Sequence, residues 1–216
     1  MAAEVVSIEG EGAAAARAAL EDCVRAGGVA VFPADGLYGV CCDPLDASAI
    51  GRIHLLKGRE PGKPSAVMYF APLVMREVLR DLGPRAREAI GALMPGPVTV
   101  IVANRARRYP LACGDDPARL GLRLIEGPLA GAGVPIFQTS ANRSGAEAAS
   151  RLADVDPAIV GGADLAIDGG ELTGLPSTVI DVSELDDGGG WRILREGALG
   201  TSEVAARLGA ISSPRR

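Results

Sequence analysis

The sequence of 216 residues contains one histidine, His54. A zinc site would need that residue plus scattered thiols, without any paired-ligand spacing. A Ser-His-Asp triad would depend on the same residue, which sits in the helical pattern of residues 49–56 and reads as a helix-face side chain. The four cysteines, Cys23, Cys41, Cys42 and Cys113, show no CxxC pair. In a chain too large to need staples they are expected as reduced thiols of a cytoplasmic protein. Aromatics make up only 3%, which leaves little for stacking on single-stranded nucleic acid. A net charge of −5 gives no broad basic footprint for a nucleic acid. No apolar run is long enough for a membrane span, and Met1-Ala2-Ala3-Glu4 lacks the basic start of a secretion signal.

What is present suffices for a core: 48% apolar and 23% charged residues, near the globular average. The length fits one domain over 1–216. Helical spacing runs from Gly12 to Ala26 and stops at Gly27-Gly28. Further helices are expected over 47–56, 72–81, 85–93 and 202–208, with a frayed tail at 212–216. Strand-like runs cover 29–32, 65–70, 98–102, 120–124, 134–138, 164–167, 178–182 and 192–194. Strands interleaved with helices indicate an α/β or α+β sheet of six or more strands.

Two phosphate-binding motifs are decoys. Gly10-Glu11-Gly12-Ala13-Ala14-Ala15 matches GxGxxA, but Glu9 and Glu11 would repel a pyrophosphate more than a helix dipole attracts it. Gly58 to Ser65 resembles a P-loop one residue short, with Pro64 at the Lys-Ser junction. Charge is the better guide. Residues 152–191 hold nine acids and no Lys or Arg, while Arg52, Lys57, Arg59, Lys63, Arg105, Arg107, Arg108, Arg119, Arg123 and Arg143 gather earlier. Such asymmetry reads either as an uneven solvated surface or as a cleft that collects anions. Three loops favour the cleft. Lys57-Gly58-Arg59 with Lys63-Pro64 sets cations between a helix and a strand. Residues 139–145, TSANRSG, and Pro176-Ser177-Thr178 set hydroxyls and amides at strand ends, where ligands bind in open sheets. Turn chemistry explains one such loop well and all three poorly.

In order along the chain, these segments resemble the YrdC-like family of threonylcarbamoyl-adenylate synthases. The carrying residues are 32–39 (FPADGLYG), Lys57-x-Arg59, Lys63-Pro64, 94–99 (MPGPVT), Leu122-Arg123, Ser140-Ala141-Asn142-x-Ser144-Gly145, 177–181 (STVID) and Leu194-Arg195-x-Gly197. The resemblance implies a twisted mixed sheet with helices around it and an open cationic face, over a core of about 12–199 and without the extra C-terminal domain of longer members. It implies an enzyme that joins L-threonine, bicarbonate and ATP, with Mg²⁺ on the phosphates, into threonylcarbamoyl-AMP and pyrophosphate. A downstream threonylcarbamoyl transferase complex then modifies tRNA. Transferred position by position, it makes Lys57 and Arg59 the catalytic cations. Gly36, Arg59, Arg123, Ser140 and Ser177 fall at the threonine and bicarbonate, and Lys63, Val67, Arg119, Asn142, Ser150 and Arg195 at ATP. Alternatives are another carbamoyl transfer, or binding of double-stranded RNA or tRNA by the basic groove. One departure stands out: the family usually has threonines on both sides of the acid where this chain has Ala34-Asp35-Gly36. Gly36 is expected either to enlarge the amino-acid pocket or to serve a backbone with positive φ.

Overall fold

The computed structural model describes residues 3–60 and 62–211; the tail expected to fray lies outside them. Ten strands form one mixed sheet among the described residues: β1 (Glu4–Ser7), β2 (Ala30–Pro33), β3 (Tyr38–Cys42), β4 (Ala66–Tyr69), β5 (Val98–Ala103), β6 (Arg119–Leu124), β7 (Ile136–Ser140), β8 (Leu165–Asp168), β9 (Thr178–Asp181) and β10 (Arg192–Arg195). Their order is β1-β8-β2-β3-β7-β4-β6-β5-β9-β10. Four neighbouring pairs are parallel (β1 with β8, β8 with β2, β4 with β6, β5 with β9) and the other five antiparallel.

The helices follow the sequence periodicity closely. They are α1 (Ile8–Glu11), α2 (Ala13–Arg25), α3 (Ala47–Lys57), α4 (Pro72–Arg80), α5 (Pro84–Leu93), α6 (Pro157–Gly161) and α7 (Thr201–Leu208). Asp46 caps α3 by accepting from the Ser48 and Ala49 amides, and Gly58 ends it in the left-handed region at φ 56°. Three elements escaped the sequence reading, the single-turn α1 among them. The strand β3 is buried at all five positions and carries no alternation, and α6 is barely more than one turn.

Two clusters sandwich the sheet. Helices α3 to α7 cover one face through Ile53, Met75, Ile90, Ile159 and Leu208 against Val40, Val67, Val100, Leu122 and Ile180. On the other face α2 covers one end, setting Ala16, Leu20 and Val24 on Phe32, Met68, Ile136 and Ile167. The remainder of that face stays open. The strap of nine residues from 169 to 177 joins β8 to β9, seven places apart in the sheet. Seven steps in a flat sheet would span roughly 34 Å, which the ten Cα–Cα steps from Asp168 to Thr178 cover only when fully extended, at about 33–36 Å. The strap instead stops to bond Ser150 and Gly36 on its way, so the sheet must curl around its open face.

Candidate functional site

The open face holds a cleft of about 640 Å³. Period-two alternation builds its floor. In β6, Arg119, Gly121 and Arg123 line the cleft while Leu120, Leu122 and Leu124 enter the helix-covered core. In β5, Thr99 and Ile101 line it between Val98, Val100 and Val102. The register joins Gln138, Ala66, Gly121 and Ile101 into one row across four strands. The small members Ala66 and Gly121 keep that row low, which makes the floor concave.

Arginines converge on this floor. Arg59, half-buried just beyond α3, donates to the Pro64 carbonyl at 2.8 Å and the Thr139 hydroxyl at 3.3 Å, while its Nε is buried without a partner. Arg195 donates to the Ser177 carbonyl at 2.8 Å and hydroxyl at 3.1 Å, and that hydroxyl meets Thr99 Oγ1 at 3.0 Å. Neither Arg59 nor Arg195 is ion-paired to a carboxylate among the described residues. Arg119 has looser ion pairs, with Asp116 at 3.7 Å and Glu184 at 3.8 Å. Deeper, Arg123 pairs with Asp35, and both side chains are largely buried. Burial pushes the Asp35 carboxyl up against the opposing pull of Arg123. Burial likewise lowers the pKa of Arg59 and Arg195. Guanidiniums around a concave floor, two of them without a carboxylate partner among the described residues, have the charge and geometry to meet a polyanion.

The structure brings eight of the predicted site residues to the cleft wall: Gly36, Arg59, Arg119, Arg123, Ser140, Asn142, Ser177 and Arg195. It sets four elsewhere. Lys57 is buried behind the wall, where Nζ donates to the carbonyls of Ser140 and, at 2.6 Å, Asn142. Its own carbonyl accepts from Ser144 N at 2.8 Å, so Lys57 clamps the loop after β7. Burial, and next the nearby Arg59, bring its ammonium down to about 8. Val67 is fully buried in the core under the helices, because alternation turns it away while Ala66 meets the cleft. Lys63 is exposed on the loop before β4, outside the lining. Ser150 supports the strap through its carbonyl, which accepts from Leu172 N at 2.9 Å.

Gly36 corrects both expectations. Its φ lies outside the left-handed region, so no positive φ demands glycine. Nor is there room beside it: a Cβ would lie 2.1 Å from the Leu175 carbonyl oxygen and 2.6 Å from Thr173 Oγ1. The strap fills the space the missing side chain leaves, and Gly174 N bonds the Gly36 carbonyl at 2.9 Å. Sequence reasoning also passed over Asp35, Thr99, Gln138 and the strap residue Leu175, all in the lining. Alternation in β5 would have found Thr99; nothing local announces Leu175. His54 stays out of the lining and packs edge-on against Phe137 at 6.0 Å.

Among the described residues no group of three His, Cys, Asp or Glu side chains could hold a metal ion. No helix there is long and apolar enough to cross a membrane.

Known proteins share this fold. The threonylcarbamoyl-AMP synthase of Chromohalobacter salexigens is 32% identical over 166 residues, 74% of this chain and 88% of that protein. The crystal structure of P. abyssi Sua5 complexed with L-threonine superposes with a TM-score of 0.81 at 27% identity, over 100% of this chain and 63% of that one. This chain therefore spans a little under two thirds of that Sua5. E. coli YciO, at 24% identity, shares the fold with a TM-score of 0.72 over 93% of this chain and 98% of its own. The family model Sua5_yciO_yrdC, described as "Telomere recombination", matches residues 22–197, a span that begins within α2 and ends just past Arg195, so the cleft and all its arginines lie inside it and the chain belongs to the Sua5/YciO/YrdC family.

Proposed function

We propose that this chain is a threonylcarbamoyl-AMP synthase: it joins L-threonine, bicarbonate and ATP, releases pyrophosphate, and supplies the first intermediate for threonylcarbamoyl modification of adenosine in tRNA. The observation that carries the reading is the uncompensated pair Arg59 and Arg195 on a cleft that also holds Arg123. Bicarbonate, an amino-acid carboxylate and a triphosphate are all anions, and this acidic protein concentrates its desolvated cations where they would meet. The name of the C. salexigens relative and the L-threonine bound to P. abyssi Sua5 support the same substrates.

The chemistry needs no side-chain nucleophile. The threonine amine attacks the carboxyl carbon of bicarbonate to give a carbamate, and a carbamate oxygen then attacks the α-phosphorus of ATP, expelling pyrophosphate. Both steps bring anions together, so catalysis is positioning plus neutralisation of charge. Arg123 and Ser177 would receive the threonine end, and Arg119, Asn142 and Arg195 the nucleotide. Arg59 lies on the wall between β7 and the loop before β4, where carbamate and phosphate would meet. Mg²⁺ would enter as part of the substrate, carried on the triphosphate. The product would pass to a separate transferase complex that acts on tRNA, in the cytoplasm. The test is pyrophosphate release with each of ATP, threonine and bicarbonate omitted in turn. Release that requires all three is expected; release independent of the amino acid would refute the reading.

A further inference from the structure

The Asp35–Arg123 pair is an expensive feature that packing does not explain. Asp35 lies in the turn between β2 and β3, and Arg123 comes from β6, four places from β2 in the sheet. Their side chains are 15% and 8% exposed. Removing two charges from water costs several kcal/mol per ion, and mutual attraction often fails to repay it. The pair is also incompletely satisfied: Asp35 engages one arm of the guanidinium, and Arg123 Nε is buried with no partner. Both residues line the main cleft, and Asp35 continues into a smaller cavity of about 230 Å³ beside Gly169 and Leu172.

An α-amino acid carries its ammonium and its carboxylate on one carbon. A contact pair of aspartate and arginine presents the complementary charges at comparable spacing, so the zwitterion can lie antiparallel to it. Arg123 belongs to the threonine end of the proposed function; we propose that its partner Asp35 binds the substrate ammonium and accepts its proton as the carbamate forms. This rests on the proposed threonine-dependent activity. In the step, R–NH₃⁺ gives one proton to the Asp35 carboxylate and becomes R–NH₂. The nitrogen lone pair forms the N–C bond to bicarbonate, the C–OH bond breaks, and the hydroxide leaves as water with a second proton from nitrogen. The products are R–NH–COO⁻, water and a protonated Asp35 that returns its proton to solvent through the open cleft. Burial raises the pKa of this carboxyl against the pull of Arg123, which suits an acceptor that must hold a proton for part of the cycle. Arg123 keeps the substrate carboxylate in place while Asp35 changes charge.

The experiment compares L-threonine with 3-hydroxybutyrate, which has the same carboxylate and hydroxyl but no ammonium. Binding to the whole protein is measured by calorimetry, with ATP binding as the check on folding. The wild type is expected to bind threonine about tenfold or more tightly than the deamino analogue, and Asp35→Asn to lose that preference while still binding ATP. Asp35→Asn is expected to slow threonine-dependent pyrophosphate release about a hundredfold, and formate is expected to restore part of the rate in Asp35→Ala. An active wild type without preference for the ammonium overturns the proposal on its own, even if the variants do not fold. So does a folded Asp35→Asn that keeps both preference and rate. A wild type with no threonine-dependent pyrophosphate release would instead refute the activity.

Discussion

The contact between Gly36 and the strap makes a quantitative prediction. In Gly36→Ala the new methyl would sit 2.1 Å from the Leu175 carbonyl oxygen and 2.6 Å from Thr173 Oγ1. The first obstacle is backbone, so the strap must retreat by about 1 Å to restore contact distance. Overpacking of this kind costs about 1–3 kcal/mol. Loss of the Gly174 N to Gly36 O bond adds about 0.5–1.5 kcal/mol. The sum, about 2–4 kcal/mol, lowers Tm by roughly 5–15 °C for a chain of this size. Because Leu175, Pro176 and Ser177 line the cleft, the same shift should raise KM for threonine, and Gly36→Thr should do both more severely. Gly121→Ala is the control: its Cβ meets nothing closer than 3.5 Å, so stability should hold while the raised floor weakens substrate binding. Thermal unfolding and steady-state kinetics read both effects. A Gly36→Ala protein with wild-type Tm and KM would refute the packing argument.

Lys57→Met should cost about 2–4 kcal/mol, because two buried carbonyls lose a charged donor, and KM should rise as the loop carrying Ser140 and Asn142 loosens. Its pH dependence has a definite sign. The folded-state value near 8 lies below the ordinary lysine value of 10.5, so between them the unfolded chain binds more protons and stability rises with pH. The wild type should therefore gain on Lys57→Met between pH 7 and pH 9.5, as denaturant titrations will show; an unchanged difference would contradict burial of the ammonium. Arg59→Ala should keep the fold and lose about 3 kcal/mol of transition-state stabilisation, near a hundredfold in kcat/KM. Ser177→Ala removes the hydroxyl that links Arg195 to Thr99 and should raise KM by roughly three- to tenfold with little change in kcat.

Much of this molecule was legible from residue spacing. The alternation Arg119-Leu120-Gly121-Leu122-Arg123-Leu124 already separates a cleft face from a core face, and Ala13–Arg25 shows its apolar stripe and its glycine stop. The strand β3 was hidden because Gly39 and the pair Cys41-Cys42 leave it no clear apolar run, whereas β2 and β4, equally buried, show one. Lys57 is expected beside Arg59 as a second anion-holding cation of the cleft, and only the tertiary fold reveals that the 140–144 loop closes over it. The role of Gly36 depends on Thr173 and Leu175, more than 130 residues away, and nothing local could disclose it. The same holds for the partnership of Asp35 with Arg123, which exists only because the sheet curls.

The most direct test of the cleft as a synthase is product analysis with ¹³C-bicarbonate. Purified protein is incubated with ATP, L-threonine and the label, and the nucleotide fraction is examined at once by mass spectrometry. A threonylcarbamoyl-AMP species carrying one ¹³C, formed together with pyrophosphate and lost in Arg59→Ala, is the expected result. Pyrophosphate and AMP without any labelled adduct would contradict it.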